Sequence, residues 1–273
     1  MSALPSTTHV RLDREGPVLR LWLNRPEKRN ALSNEMVADI VATFAAIRDD
    51  RAVRVVVIRG VGGTFCAGAD LKSMSQTDGS PLPGAPDPVR EQNRRFSTML
   101  ETVNSAPQAV IAAIEGYAMG GGFGLACIAD VTIARADARL AMTEVTLGIV
   151  PAAISPFVVQ RIGLTAARRF GVSGASLNGI EACALGIAHL SADDAPAFEI
   201  MLTRTINQIL KCAPGAVAET KRLMLRAAGP VPLPELLDNA AETFARVVRG
   251  PEGREGPKAF IEKRTPSWVT QVE

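Results

Sequence analysis

Apolar residues follow two different periods along this chain and mark out its elements. Val18 to Leu23 alternates and is rich in strand formers, which predicts a half-buried strand. Asn34 to Ile47 places Met36, Ile40, Phe44 and Ile47 on one face of a helix, and Val53 to Ile58 is an unbroken apolar run of strand length. The Pro/Gly/Ser-rich stretch from Ser75 to Pro88 reads as a surface loop. A second round follows it, with a helix near Val89 to Val103 and a strand from Ala109 to Ile114; short strands near Val131 to Ala134 and Arg139 to Met142 come next. Beyond Ala195 the character changes to helical periods at Ala197 to Leu210, Gly215 to Ala227, Leu233 to Val248 and Gly253 to Lys263. The expected class is α/β, with a core over residues 1–195 built on a parallel sheet covered by helices, and a helical region over 196–273.

Composition narrows the function classes. A chain of 273 residues is long enough to bury one substantial core. The 30 Lys and Arg against 28 Asp and Glu leave a formal charge of +2, so no broad field favours nucleic acid or an anionic membrane as partner. The four cysteines, Cys66, Cys127, Cys183 and Cys212, are far apart and form no CxxC pair. That spacing argues against zinc, iron–sulfur clusters and a disulfide scaffold, and it fits a reducing, cytoplasmic compartment. The opening MSALPSTTHVRLDREG lacks a basic flank before an apolar core, and Glu115, Asp130 and five glycines interrupt the apolar region from Ala109 to Ala134. Neither a targeting nor a spanning segment is expected. The two histidines, His9 in the N-terminal stretch and His189 in GIAHL, are poorly placed for a hydrolase triad, which needs an oriented base beside its nucleophile.

Two glycine-rich turns carry more information. In VRVVVIRGVGGTFCAGADLKSM a buried strand runs into Gly60, Gly62, Gly63 and Gly68, followed by Ala69, Asp70 and a short helical pattern. In VIAAIEGYAMGGGFGLACIAD a second strand runs into Gly120, Gly121 and Gly122 and the start of an apolar helix. Glycine lets backbone approach a ligand, and a helix start leaves N–H groups unpaired; two such turns converging on one carbonyl oxygen would stabilise negative charge there. Tight turns and close packing account for the same glycines equally well. Neither phrase contains GxGxxG, and GxxxxGK[ST] is absent, so a nucleotide site is disfavoured. A third phrase, ARLAMTEVTLGIVPAAISPF, offers Glu144 after a short apolar strand, where apolar neighbours would raise its pKa toward that of a neutral-pH acid/base. An ordinary exposed loop glutamate is the competing reading.

Together NRPEKRNAL (Asn24 to Leu32), FCAGADL (Phe65 to Leu71), GYAMGGG (Gly116 to Gly122) and TEVTLGIVP (Thr143 to Pro151) resemble, in order and spacing, the crotonase (enoyl-CoA hydratase/isomerase) superfamily over nearly the whole chain. The resemblance implies a spiral of ββα units with C-terminal helices that mediate homotrimer or hexamer formation. It implies an acyl-CoA thioester substrate, with no cofactor beyond the coenzyme A of the substrate and no metal. It implies oxyanion donors at the N–H groups of Ala69 and Gly121 and an acid/base at Glu144. Lys28, Arg29, Ala31, Ala67, Gly68, Asp70 and Leu71 would line the coenzyme A and acyl site, with Phe260 and Lys263 approaching coenzyme A from a neighbouring subunit. One departure stands out: typical hydratases of the class carry a second glutamate where this chain has Gly124. A single carboxylate leaves both hydration and double-bond isomerisation open, and an acyl-CoA-binding protein with a degenerate site is the rival from another class. The phrase after Glu144 is similar to bacterial hydratases of branched glutaconyl-CoA esters, which favours hydration.

Overall fold

A computed structural model describes residues 3–70 and 84–273. Leu71 and positions 75–83 of the expected surface loop lie outside the described residues. The first strands, β1 (Val10–Glu15) and β2 (Val18–Leu23), pair antiparallel as a hairpin. Helix α1 (Asn34–Ile47) then returns the chain to β3 (Val55–Gly60), which lies parallel to β2. Ser33 starts α1 by accepting the Met36 N–H on its hydroxyl at 3.3 Å, a cap worth about 1 kcal/mol. Helix α2 (Pro88–Asn104) leads to β4 (Ala109–Ile114), parallel to β3.

Strand β5 (Tyr117–Met119) turns out of this sheet into helix α3 (Gly121–Ile128), and β6 (Val131–Arg135) returns to pair with β4. Next come β7 (Arg139–Ala141), α4 (Ser155–Ser173), β8 (Ser176–Asn178), α5 (Gly179–Ala184) and β9 (Leu190–Ala192). The main sheet has six strands in the order β1-β2-β3-β4-β6-β9, and a small sheet runs β5-β7-β8. Repetition of a strand pair and a helix around one axis is the ββα spiral.

The central strands are buried on both faces, which explains their unbroken apolar runs. Val56 and Ile58 of β3 join one core with Met36, Ile40 and Phe44 of α1 and Leu100 of α2. Their neighbours Val55 and Val57 point the other way, into a second core with Ile111 and Ala113 of β4. That second face is covered by α6 (Ala195–Leu210), whose Phe198, Leu202, Ile206 and Leu210 recur at helical spacing and are all buried. The expected helical region thus opens with a helix packed on the sheet. Helices α7 (Pro214–Ala227), α8 (Leu233–Arg249) and α9 (Pro251–Ile261) complete the described chain. No described helix is long and apolar enough to cross a membrane, and among the described residues no group of three or more His, Cys, Asp or Glu side chains could hold a metal ion.

Candidate active site

Two backbone segments frame one cavity of ≈ 200 Å³. The first is the run into Ala69. Leu32 and Ala69 form a parallel bridge in which the Leu32 N–H donates to Gly68 O at 2.8 Å and the Asp70 N–H donates to Leu32 O at 3.0 Å. Successive peptide groups of an extended chain point to opposite sides, so the Ala69 N–H is turned away from Leu32. Gly68 makes the approach to this segment with φ 99°, a conformation open to glycine.

The second segment is the start of α3. Gly121 is the first helical residue, so its N–H has no partner within the helix. Gly120 holds φ 48° and ψ −112°, outside the range of other residues, and its N–H is anchored on Ala141 O at 2.9 Å. Among the described residues no backbone acceptor meets the N–H of Ala69 or Gly121, and both residues line the cavity.

Glu144 faces the same cavity from the first position of a single 3₁₀ turn, Glu144–Leu147, that follows β7. Its backbone is held by the Ile149 N–H, which donates to Glu144 O at 3.1 Å. The carboxyl passes so close to Gly120 that a Cβ there would lie 3.1 Å from Oε1. Oε2 is buried and has no hydrogen-bond partner among the described residues. Burial pushes the Glu144 carboxyl above its ordinary value, opposed only in part by its own backbone N–H. The group is therefore a carboxyl whose proton is held and released nearer neutrality than that of a surface glutamate, beside two unused N–H donors.

A buried polar network holds the Ala69 segment in place. Asn30 is fully buried with φ 56°; its Oδ1 accepts the Arg25 N–H at 2.9 Å, and its Nδ2 donates to Val61 O at 2.9 Å and Thr64 O at 2.6 Å. Arg25 donates to Ala31 O at 2.7 Å and to Asp70 Oδ2 at 2.8 Å. Asn30 and Arg25 carry no motif of their own in the sequence, although an asparagine inside a turn is the residue type that tolerates a left-handed backbone.

Of the residues implied by resemblance, Ala67, Gly68, Ala69, Gly121 and Glu144 meet at the cavity. Lys28 and Arg29 are exposed and do not line it, and Asp70 and Ala31 belong to the supporting network. The backbone of Arg29 reaches the site through its O, which accepts the Ala67 N–H at 2.9 Å. Phe260, 85% exposed on α9, and Lys263 do not line the cavity of their own chain. The space beside Gly124 is filled: a Cβ at this position would lie 2.3 Å from Ile154 Cγ2, and Ile154 itself lines the cavity. Sequence alone gave no hint that Ile154 would stand where a second carboxylate would project, because the two are thirty residues apart and on different elements.

A parallel-sheet spiral carrying paired backbone donors and a desolvated carboxyl defines a crotonase-fold enzyme. A family model described as enoyl-CoA hydratase/isomerase matches residues 13–271, and the chain belongs to that family. The 2,3-dehydroadipyl-CoA hydratase of Escherichia coli (strain K12) is 31% identical over 258 residues, 94% of this chain and 97% of that protein. A crystal structure of an enoyl-CoA hydratase/isomerase from Marinobacter aquaeolei superposes with TM-score 0.92 at 46% identity, covering 96% of this chain and 99% of that one. Pseudomonas aeruginosa AtuE superposes with TM-score 0.92 at 47% identity, covering 96% and 100%.

Proposed function

We propose that this enzyme adds water reversibly across the α,β double bond of an enoyl-CoA thioester, with a branched glutaconyl-CoA ester as the substrate. The observation that carries the reading is the meeting, in one cavity, of the Ala69 and Gly121 N–H groups with the desolvated Glu144 carboxyl. The thioester oxygen would accept both N–H groups, drawing electron density from the β-carbon and stabilising the enolate that forms. Glu144 as carboxylate takes a proton from water as the hydroxyl bonds to the β-carbon, then returns that proton to the α-carbon. One carboxyl thereby carries out both transfers of a single proton, and the atoms of one water are accounted for.

Isomerisation is the second reading, favoured by the apolar Ile154 wall at the place of the second carboxylate. There Glu144 would remove a proton from one carbon of the acyl chain and return it two carbons away, with no water consumed. Mass spectrometry of the enzyme with crotonyl-CoA, 3-methylglutaconyl-CoA and a 3-enoyl-CoA separates the two. A gain of one water on the branched diacid ester, lost in Glu144→Gln, is expected; rearrangement at constant mass would move the assignment to isomerase, and binding without conversion would deny catalysis on this panel.

The assembly proposed is a homotrimer or a dimer of trimers. Its support is the apolar stripe Leu233, Leu237, Phe244 and Val248 along α8, with Phe260 and Ile261 on α9, all left exposed in the single chain. In such an assembly Phe260 and Lys263 would reach the coenzyme A of a neighbouring subunit.

A further inference from the structure

Phe96 presses against the start of α3, where a Cβ on Gly121 would lie 2.9 Å from its Cζ, so this point of α2 marks the oxyanion end of the cavity. Asn93 and Gln92 precede it by three and four residues. They share its helix face, about one turn or ~5.4 Å closer to the helix N-terminus. Both line the cavity, as does Asn34, the first residue of α1, whose Oδ1 accepts from Gln92 Nε2 at 3.2 Å. Three amides from two helices thus line the same cavity as the oxyanion donors. Glu144 carries the only charge among the described side chains that line the cavity.

An alkyl tail would draw water from these amides and return no hydrogen bond, which costs free energy. An anionic acceptor gains instead: each amide has N–H donors, and α1 begins at Asn34 with the positive end of its dipole toward this side, whereas the start of α2 is already capped by the Asp87 carboxylate. Resting on the acyl-CoA reading above, we infer that Asn34, Gln92 and Asn93 form the recognition site for a carboxylate at the far end of the acyl chain, making the preferred substrates mono-thioesters of dicarboxylic acids.

The test uses two saturated thioesters that cannot be hydrated, glutaryl-CoA and pentanoyl-CoA, equal in chain length and different only in the terminal carboxylate. Calorimetric titration is expected to show glutaryl-CoA bound about ten- to a hundredfold more tightly, the range for hydrogen bonds to a charged group. The pair Asn34→Leu/Asn93→Leu should bring that ratio close to one. Asn93→Asp, isosteric on an exposed helix position, should reverse it by like-charge repulsion. Equal or tighter binding of pentanoyl-CoA, or a ratio unmoved by Asn93→Asp, overturns the inference while leaving the acyl-CoA reading intact. Failure of both thioesters to bind removes the two together.

Discussion

Glu144 combines two properties that pull in opposite directions. Burial raises the carboxyl's pKa and suits it to proton transfer, yet the ionised form is a cost to the folded state. Glu144→Gln is therefore expected to lower turnover by roughly a hundred- to ten-thousandfold while thioester binding persists. The same variant should melt higher than the parent at neutral pH. A carboxyl with a raised folded pKa gives stability that is whole below its unfolded value, about 4.3, and is lost as pH rises through the folded value. The gap in Tm should accordingly close on acidification to below about pH 4, as differential scanning calorimetry at several pH values would show. If Glu144 must start as the carboxylate, kcat/KM should fall on the acid side with a midpoint above the ordinary glutamate range, and Glu144→Gln should lack that limb. Glu144 was visible in the sequence as a carboxyl after an apolar strand; its desolvation was not, because burial comes from residues distant in the chain.

Among the elements, α3 and the segment leading into α4 decide how many carboxylates the site holds. Gly124→Glu alone should lower stability, since its Cβ meets Ile154 at 2.3 Å. Paired with Ile154→Gly it should recover part of the loss, a coupling of about 0.5–3 kcal/mol in a double-mutant cycle of denaturant melts. Additive losses would show that the two positions do not share this space. Helix α6 makes a comparable case on the other face of the sheet. Phe198 is fully buried there with Val55, Val57 and Ile111, and Phe198→Ala is expected to cost about 3–5 kcal/mol in urea unfolding. Periods of α1 and α6 were legible because one apolar face repeats over several turns. Strands β5, β7, β8 and β9, three residues each, are too short to display a period, and of these four β7 alone was legible, inside the phrase Arg139 to Met142; α4 is broken by Gly163 at φ 73°.

On the scale of the whole molecule, the C-terminal helices are tied to the spiral at particular points. Lys221 of α7 pairs with Asp130 at 2.8 Å, and Asp130 accepts the Val110 N–H of β4 at 2.8 Å. Arg54, just before β3, donates to Trp268 O at 2.5 Å and Leu210 O at 2.9 Å. Beyond these ties, α8 and α9 turn their apolar stripe outward. Light scattering is expected to give three or six times the 28.9 kDa chain mass, and Phe244→Glu together with Phe260→Glu should shift it toward one. A monomeric parent protein would count against the proposed assembly.

What the sequence determined by itself was local: where apolar periods make helices, where continuous runs make doubly buried strands, and where glycines free a backbone at the ends of two strands. Those features depend on near neighbours, and a linear reading reaches them. Which N–H groups stay unpaired, that Ile154 fills the space beside Gly124, that Asn30 ties its own turn to the 61–64 loop, and that three amides from α1 and α2 line one cavity were decided by the tertiary structure alone. Each is a relation between residues brought together by the packing of helices on a common sheet, and no period along the chain encodes that distance.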